Sequence, residues 1–173
     1  MLNQRVAAAI SRQINAEFAS AYLYLAMAGH FENEDLQGFA KWMRVQAQEE
    51  AAHAIILFNY LTDRDLLPEL APLEAPPTEF GNPQEVFKQV KEHERKVTES
   101  INELADLALE EKDHATRALL DWFVTEQVEE QAVAHTIHSR IKLASGDAAG
   151  LLVLDQELGA RTFVMPPPLN GRL

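Results

Sequence analysis

The sequence predicts an all-α fold: a four-helix bundle with one long crossover between helices two and three, plus a short fifth helix. Three observations carry this. Apolar residues recur at spacings of three and four along four long stretches, the period of one helix face. No stretch alternates with the period of two that marks a half-buried strand. The prolines are confined: five of eight lie between Pro68 and Pro83 and the other three are Pro166, Pro167 and Pro168, which leaves 1–67 and 84–165 free of the strongest helix breaker.

The first helix is expected over about 3–31, with the stripe Ile10, Ile14, Glu17/Phe18, Ala21, Tyr24/Leu25, Ala28. Asn33 to Asp35 is a polar turn. The second runs from about Asp35 to Leu61 through Phe39, Met43, Gln46, Glu50, His53, Leu57 and Tyr60/Leu61. Asn82-Pro83-Gln84-Glu85 starts the third, with Asn as N-cap, Pro in the first position and Glu in the third. Its stripe is Phe87, Val90, Glu94, Val97, Ile101, Leu104, Ala108. Lys112-Asp113-His114 breaks the pattern. The fourth helix carries Leu119, Phe123, Glu126/Gln127, Glu130, Val133, Ile137 and Ile141, with Gly146 as its C-cap. Asp147 caps a short fifth helix over about 148–162, which presents Leu151, Leu154 and Leu158. Residues 164–173 are expected to be an extended or disordered tail behind a domain spanning 1–163.

Loop lengths set the topology. The first and third connections are short, so those helix pairs are antiparallel. The middle one, roughly Asp63 to Asn82, spans up to ~60 Å when extended. That suffices to travel the bundle and make helices two and three parallel, which is the reason such a long loop needs.

Composition narrows the function. The chain of 173 residues has no cysteine, which excludes a disulfide scaffold, a thiolate metal site and a cysteine nucleophile. Acids outnumber Lys and Arg 27 to 15, a net charge of −12 that repels nucleic acid and anionic membrane and attracts cations. No apolar run is long enough to span a membrane. Met1 to Arg12 lacks the basic-then-apolar order of a signal peptide, so the expected location is cytoplasmic.

Four glutamates stand where apolar residues belong. Glu17, Glu50, Glu94 and Glu130 each occupy the apolar stripe of one long helix near its middle. With alternating helix directions they fall at one level of the bundle. Burying an unpaired carboxylate costs several kcal/mol, and no Lys or Arg shares these stripes. Shared protons or bound cations remain. His53, three residues after Glu50 on the same face, adds a neutral nitrogen ligand and favours a cation. Carboxylates with one imidazole suit Fe or Mn, and also accept Zn. Any one of these residues alone reads as an ordinary core or boundary residue; the coincidence of all of them points to metal.

With these residues the sequence resembles the ferritin family, specifically bacterial non-haem ferritins, over residues 1–163. The wider class combines a single Glu from each of two helices with Glu-x-x-His from each of the other two. Glu17 and Glu94 match the single glutamates and Glu50-Ala51-Ala52-His53 the complete motif. The fourth helix reads Glu130-Gln131-Ala132-Val133 and lacks the second histidine, a ferritin-like departure that separates it from bacterioferritins and di-iron oxygenases. Ala51 stands where bacterioferritins carry the haem-binding methionine, so no haem is expected. The absence of cysteine removes the rubredoxin module of rubrerythrins.

The resemblance implies a dinuclear iron centre. Glu17, Glu50 and His53 hold one iron, and Glu50 bridges to a second held by Glu94 and Glu130. Gln127 lies beside the centre. Glu49, Glu126 and Glu129 match a third iron site; a solvated acidic face is the competing reading. Tyr24 hydrogen-bonds near the centre and donates an electron, or is an ordinary core tyrosine. Trp122 reads as core packing or as another reductant. His135 and His138 read as solvated side chains, and His30, His93 and His114 receive no role.

The implied activity is ferroxidation, with Fe(II) oxidised by dioxygen or hydrogen peroxide and stored as a mineral in a hollow homo-oligomer of 24 subunits. The fifth helix would pack around the four-fold axes or against its own bundle. Arg117 sits among expected pore acids, with Asp121 the one carboxylate there. The alternative is a di-iron peroxidase or oxidant scavenger that stores little iron.

Overall fold

A computed structural model describes residues 3–169 and 171–172; Met1, Leu2, Asn170 and Leu173, including two positions of the expected tail, lie outside the described residues. The helices are α1 (Gln4–Asn33), α2 (Gln37–Thr62), α3 (Pro83–Glu110), α4 (His114–Leu143) and α5 (Ala148–Leu158), followed by a 3-10 turn at Pro167–Leu169. No strand occurs among the described residues. The four-helix bundle with a short fifth helix is as the periodicity implied.

Local chemistry sets the helix ends. Asn82 accepts hydrogen bonds from the backbone of Gln84 and Glu85 while Glu85 accepts from the Asn82 backbone, a full capping box with Pro83 behind it. Asp113 caps α4 through the Thr116 amide at 3.0 Å. The tight turns before α2 and α4 place Asp35 and Lys112 at positive φ, 57° and 56°. Gly146 also has positive φ, 83°, but it lies in the turn after the α4 cap, which is Ala144. The fifth helix ends at Leu158 with Gly159 as C-cap, earlier than the 162 its composition suggested.

The crossover is anchored along α1. Asn15 donates to the Glu69 carbonyl and accepts from the Ala71 amide, both at 2.8 Å, and the ring of His30 binds the Gly81 carbonyl at 2.7 Å. Asn15 and His30 are about 22 Å apart on a helix rising 1.5 Å per residue. The connection therefore travels alongside α1 and delivers α3 parallel to α2.

Two apolar clusters fill the bundle. One gathers Ile10, Ile14, Leu57, Leu61, Ile101 and Phe123. The other gathers Tyr24, Phe31, Phe39, Met43, Phe87 and Ile137. Glu17, Glu50, Glu94 and Glu130 fall between the two clusters on their respective helices, so a polar layer crosses an otherwise apolar core.

The fifth helix docks on the start of α2. That helix has no side-chain cap of its own; Asp155 supplies it, accepting from the Gly38 and Phe39 amides at 2.8 and 2.9 Å. A Cβ on Gly38 would lie 1.6 Å from the Asp155 carbonyl oxygen, so only glycine permits this approach. Leu154 and Leu158 are buried with the second cluster and Leu151 packs against it. The chain's own bundle thus covers the leucine face that the resemblance assigned to subunit packing. The remaining apolar side chains of α5, Leu152 and Val153, are exposed.

The tail runs without regular structure to Met165, but it is not free. Leu169 is 1% exposed within the first cluster, and Arg172 pairs with Asp63 at the end of α2 at 2.8 Å. One buried leucine and one ion pair, neither part of a periodic pattern, hold it down.

Candidate metal centre

Burial is the first fact of this site. Glu17, Glu94 and His53 are each 1% exposed, Glu50 is fully buried, and Glu130 is 7% exposed. Glu17, Glu50 and His53 offer ligand atoms within 4.8 Å of one another, one turn of α2 supplying two of them and α1 the third. His53 Nδ1 lies 3.6 Å from Glu50 Oε2.

Glu17 Oε2, Glu50 Oε2, His53 Nδ1 and Glu94 Oε2 have no hydrogen-bond partner among the described residues. Buried polar atoms are almost always paired, since an unpaired one costs about 1–3 kcal/mol and a charged one more. Four orphans in one layer are the pattern of ligand atoms with their metal removed. Three hard oxygens and one imidazole nitrogen suit Fe, Mn or Zn, so the residues present fit the iron that the sequence implied.

The same crowding moves protons. Burial pushes the Glu17 carboxyl up to about 8, with the Glu50 charge adding to it. Glu130 is pushed up to about 7 by burial and again by Glu50. Glu94 rises well above the carboxylate range from burial, with Glu50 and Glu130 adding. Burial alone would lower His53, but the adjoining Glu50 carboxylate, with Glu17 and Glu130 adding, outweighs it and raises the imidazole to about 9. Without a cation, this crowding favours the protonated carboxyls of Glu17, Glu94 and Glu130.

One oxygen of each carboxylate has a support. Gln13 Nε2 donates to Glu17 Oε1 at 2.8 Å, and the Ser100 hydroxyl in turn donates to Gln13. Gln46 Nε2 donates to Glu50 Oε1 and to Glu130 Oε2, both at 3.0 Å. The Tyr24 phenol donates to Glu94 Oε1. Tyr24 also meets Trp42 and His93 edge-on at 6.4 and 5.7 Å, and His93 is hydrogen-bonded to Ser20 at 2.8 Å. His93, given no role from sequence, therefore packs beside the layer. Gln127 is buried next to it and accepts from the Thr98 hydroxyl at 3.0 Å. Trp122 packs edge-on against His53 at 5.4 Å.

The outer carboxylates are less assembled. Glu49 and Glu126 are partly buried and Glu129 is exposed. Burial raises Glu49, against the Arg161 charge that lowers it; burial raises Glu126, with Glu129 adding and His53 opposing. Glu49 is engaged by the Arg161 guanidinium.

Gln13 and Gln46 were not read from sequence as part of the site, yet both stand four residues before a buried glutamate. A Gln-x-x-x-Glu spacing on an apolar stripe was the available signal. Arg161, beyond the last helix, offered none.

The model of the ferritin-like domain family matches residues 7–144. The chain belongs to the ferritin family. Among its relatives, a bacterial non-heme ferritin of Bacteroides fragilis is 44% identical over 161 residues, covering 93% of this chain and all of the relative. One from Staphylococcus aureus is 36% identical over 163 residues, covering 94% and 98%. Among solved structures, an open pore ferritin from the hyperthermophilic archaeon Archaeoglobus fulgidus superposes with a TM-score of 0.92 at 45% identity, over 94% of this chain and all of that one. Within this ferritin fold the polar layer occupies the middle of all four long helices. No described helix is long and apolar enough to cross a membrane.

Proposed function

We propose that this ferritin oxidises Fe(II) at a dinuclear centre in the polar layer and stores the product as a ferric mineral inside a homo-oligomeric shell of 24 subunits. The observation that carries the reading is the set of four orphaned buried ligand atoms on Glu17, Glu50, His53 and Glu94. One bound metal cluster would relieve all four together.

In this reading Glu17, Glu50 and His53 take one Fe(II), and Glu50, Glu94 and Glu130 take the second. Two Fe(II) each give one electron; dioxygen takes the pair with two protons and leaves as hydrogen peroxide. Peroxide as oxidant takes the pair with two protons and leaves as two waters. Hard carboxylate oxygens favour Fe(III) over Fe(II), which lowers the cost of the oxidation. Gln13, Gln46 and Tyr24 keep the carboxylates from rotating, as outer-shell partners do at metal sites. Tyr24, which donates a hydrogen bond to a ligand carboxylate, supplies an electron to the reaction in this reading. Gln127 lies beside the dinuclear centre, and Glu49, Glu126 and Glu129 form the outer third site toward which oxidised iron moves.

Oxidation of Fe(II) in air, followed by ferric absorbance, tests the activity. Glu50→Ala combined with His53→Ala should reduce the rate at least about 100-fold, since losing two ligands exceeds the roughly 10- to 100-fold cost of losing one outer-shell partner; an unchanged rate overturns the centre. Iron retained after aerobic loading tests storage: thousands of atoms per assembly support it, whereas two or three per subunit favour the scavenging peroxidase.

A further inference from the structure

Arg161 lies three residues beyond α5, in a segment with no regular structure, yet its side chain is only 22% exposed. Three groups hold it, all on one face of α2 at positions i, i+4 and i+7. Its guanidinium lies over the Trp42 ring, 4.5 Å from the centroid. Its Nη1 donates to Gln46 Oε1 at 2.8 Å, and its Nη2 donates to Glu49 Oε2. A planar guanidinium held by a π face, a carbonyl and a carboxylate is a built contact rather than a passing surface pair.

The Gln46 amide links this contact to the interior. Its oxygen is held by Arg161, and its nitrogen faces Glu50 and Glu130. The Glu49 side chain, 16% exposed, has one oxygen committed to the guanidinium. That oxygen cannot serve a metal while the pair persists, and the fixed positive charge opposes the arrival of a dication. Resting on the reading of Glu49 as an outer-site ligand, we propose that Arg161 is a tethered counter-cation that competes with metal for Glu49 and sets how readily metal occupies the outer site. Arg161 is thus a positioning residue: metal arriving at the outer site must displace it, and its departure also frees the Gln46 amide beneath.

Calorimetric titration of the metal-free, assembled protein with Zn(II), a redox-silent probe, tests this. The parent should show inner binding events and a weaker outer one. Arg161→Gln should tighten the outer event by about tenfold or more, the scale of one charge-assisted hydrogen bond, and leave the inner events within about twofold. Arg161→Lys, which keeps the charge but loses the fork and the stacking on Trp42, should fall between the parent and Arg161→Gln. In a Glu49→Gln background, Arg161→Gln should produce no tightening. An outer event unchanged by Arg161→Gln, absent from both proteins, or tightened equally without Glu49 overturns the proposal. Loss of the inner events in the parent is a different failure, that of the dinuclear centre itself.

Discussion

Nδ1 of His53 lies 3.6 Å from Oε2 of Glu50, one helical turn apart, and neither atom has a hydrogen-bond partner among the described residues. Charge attraction without a hydrogen bond suits a pair that would share a metal, and it has a pH signature. His53, raised from about 6.5 to about 9, stabilises the fold fully below pH 6.5 and loses that contribution as pH rises through 9. Glu17 and Glu130, raised to about 8 and about 7, stay protonated in the fold when the unfolded chain has lost those protons. In all three windows the native state binds more protons, so stability falls as pH rises. The metal-free protein should therefore melt at progressively lower temperature between pH 5 and pH 9. Zn(II) should flatten that slope and release protons on binding, measurable as buffer-dependent binding enthalpy. A metal-free melting temperature that rises over this range contradicts the account.

Tyr24 is fully inside, and its phenol is the one donor to Glu94 Oε1. Tyr24→Phe should destabilise the metal-free protein by about 1–3 kcal/mol in urea melts, the cost of stripping a buried acceptor. Metal saturation should recover most of it, because Glu94 then has a cation. An equal loss with and without metal would mean that the phenol serves packing alone.

Gln46 bridges Glu50 and Glu130 with a single amide nitrogen. Gln46→Met keeps the volume and removes both hydrogen bonds. Zn(II) affinity of the inner centre should fall about 10- to 100-fold, as for other outer-shell partners. A change smaller than twofold in competition titrations shows the bridge to be dispensable.

Gly38 admits the Asp155 carbonyl to the start of α2, and a methyl group there would collide with it. Gly38→Ala should detach α5 while leaving the bundle folded. Hydrogen exchange should then accelerate over 148–158 and spare α3, and Arg161, carried on the same segment, should lose its grip on Glu49. Unchanged protection in α5 would contradict the role given to Asp155 as a borrowed cap.

Much of this was legible in the sequence because it is periodic. Glutamates at Glu17, Glu50, Glu94 and Glu130 interrupt apolar stripes, and the proline-rich stretch from Pro68 to Pro83 gives the crossover its length. Capping at Asn82 was equally local. Asp155 capping another helix, Arg161 reaching Trp42 and Glu49, and Leu169 seated in the core were not legible. These contacts join segments more than a hundred residues apart or follow no helical period, so the α5 leucines stayed divided between a subunit contact and their own bundle, and the last residues read as an extended or disordered tail. Gln13 and Gln46 fall between: their spacing to glutamate was visible, but only the structure shows which way the amides face.

The most direct measurement is anomalous diffraction from crystals soaked anaerobically in Fe(II). The account predicts two iron peaks per subunit, about 3.5–4 Å apart as in two-metal sites, one bordered by Glu17, Glu50 and His53 and the other by Glu50, Glu94 and Glu130. A polar layer without iron, or a single peak that leaves Glu94 and Glu130 unligated, would contradict it.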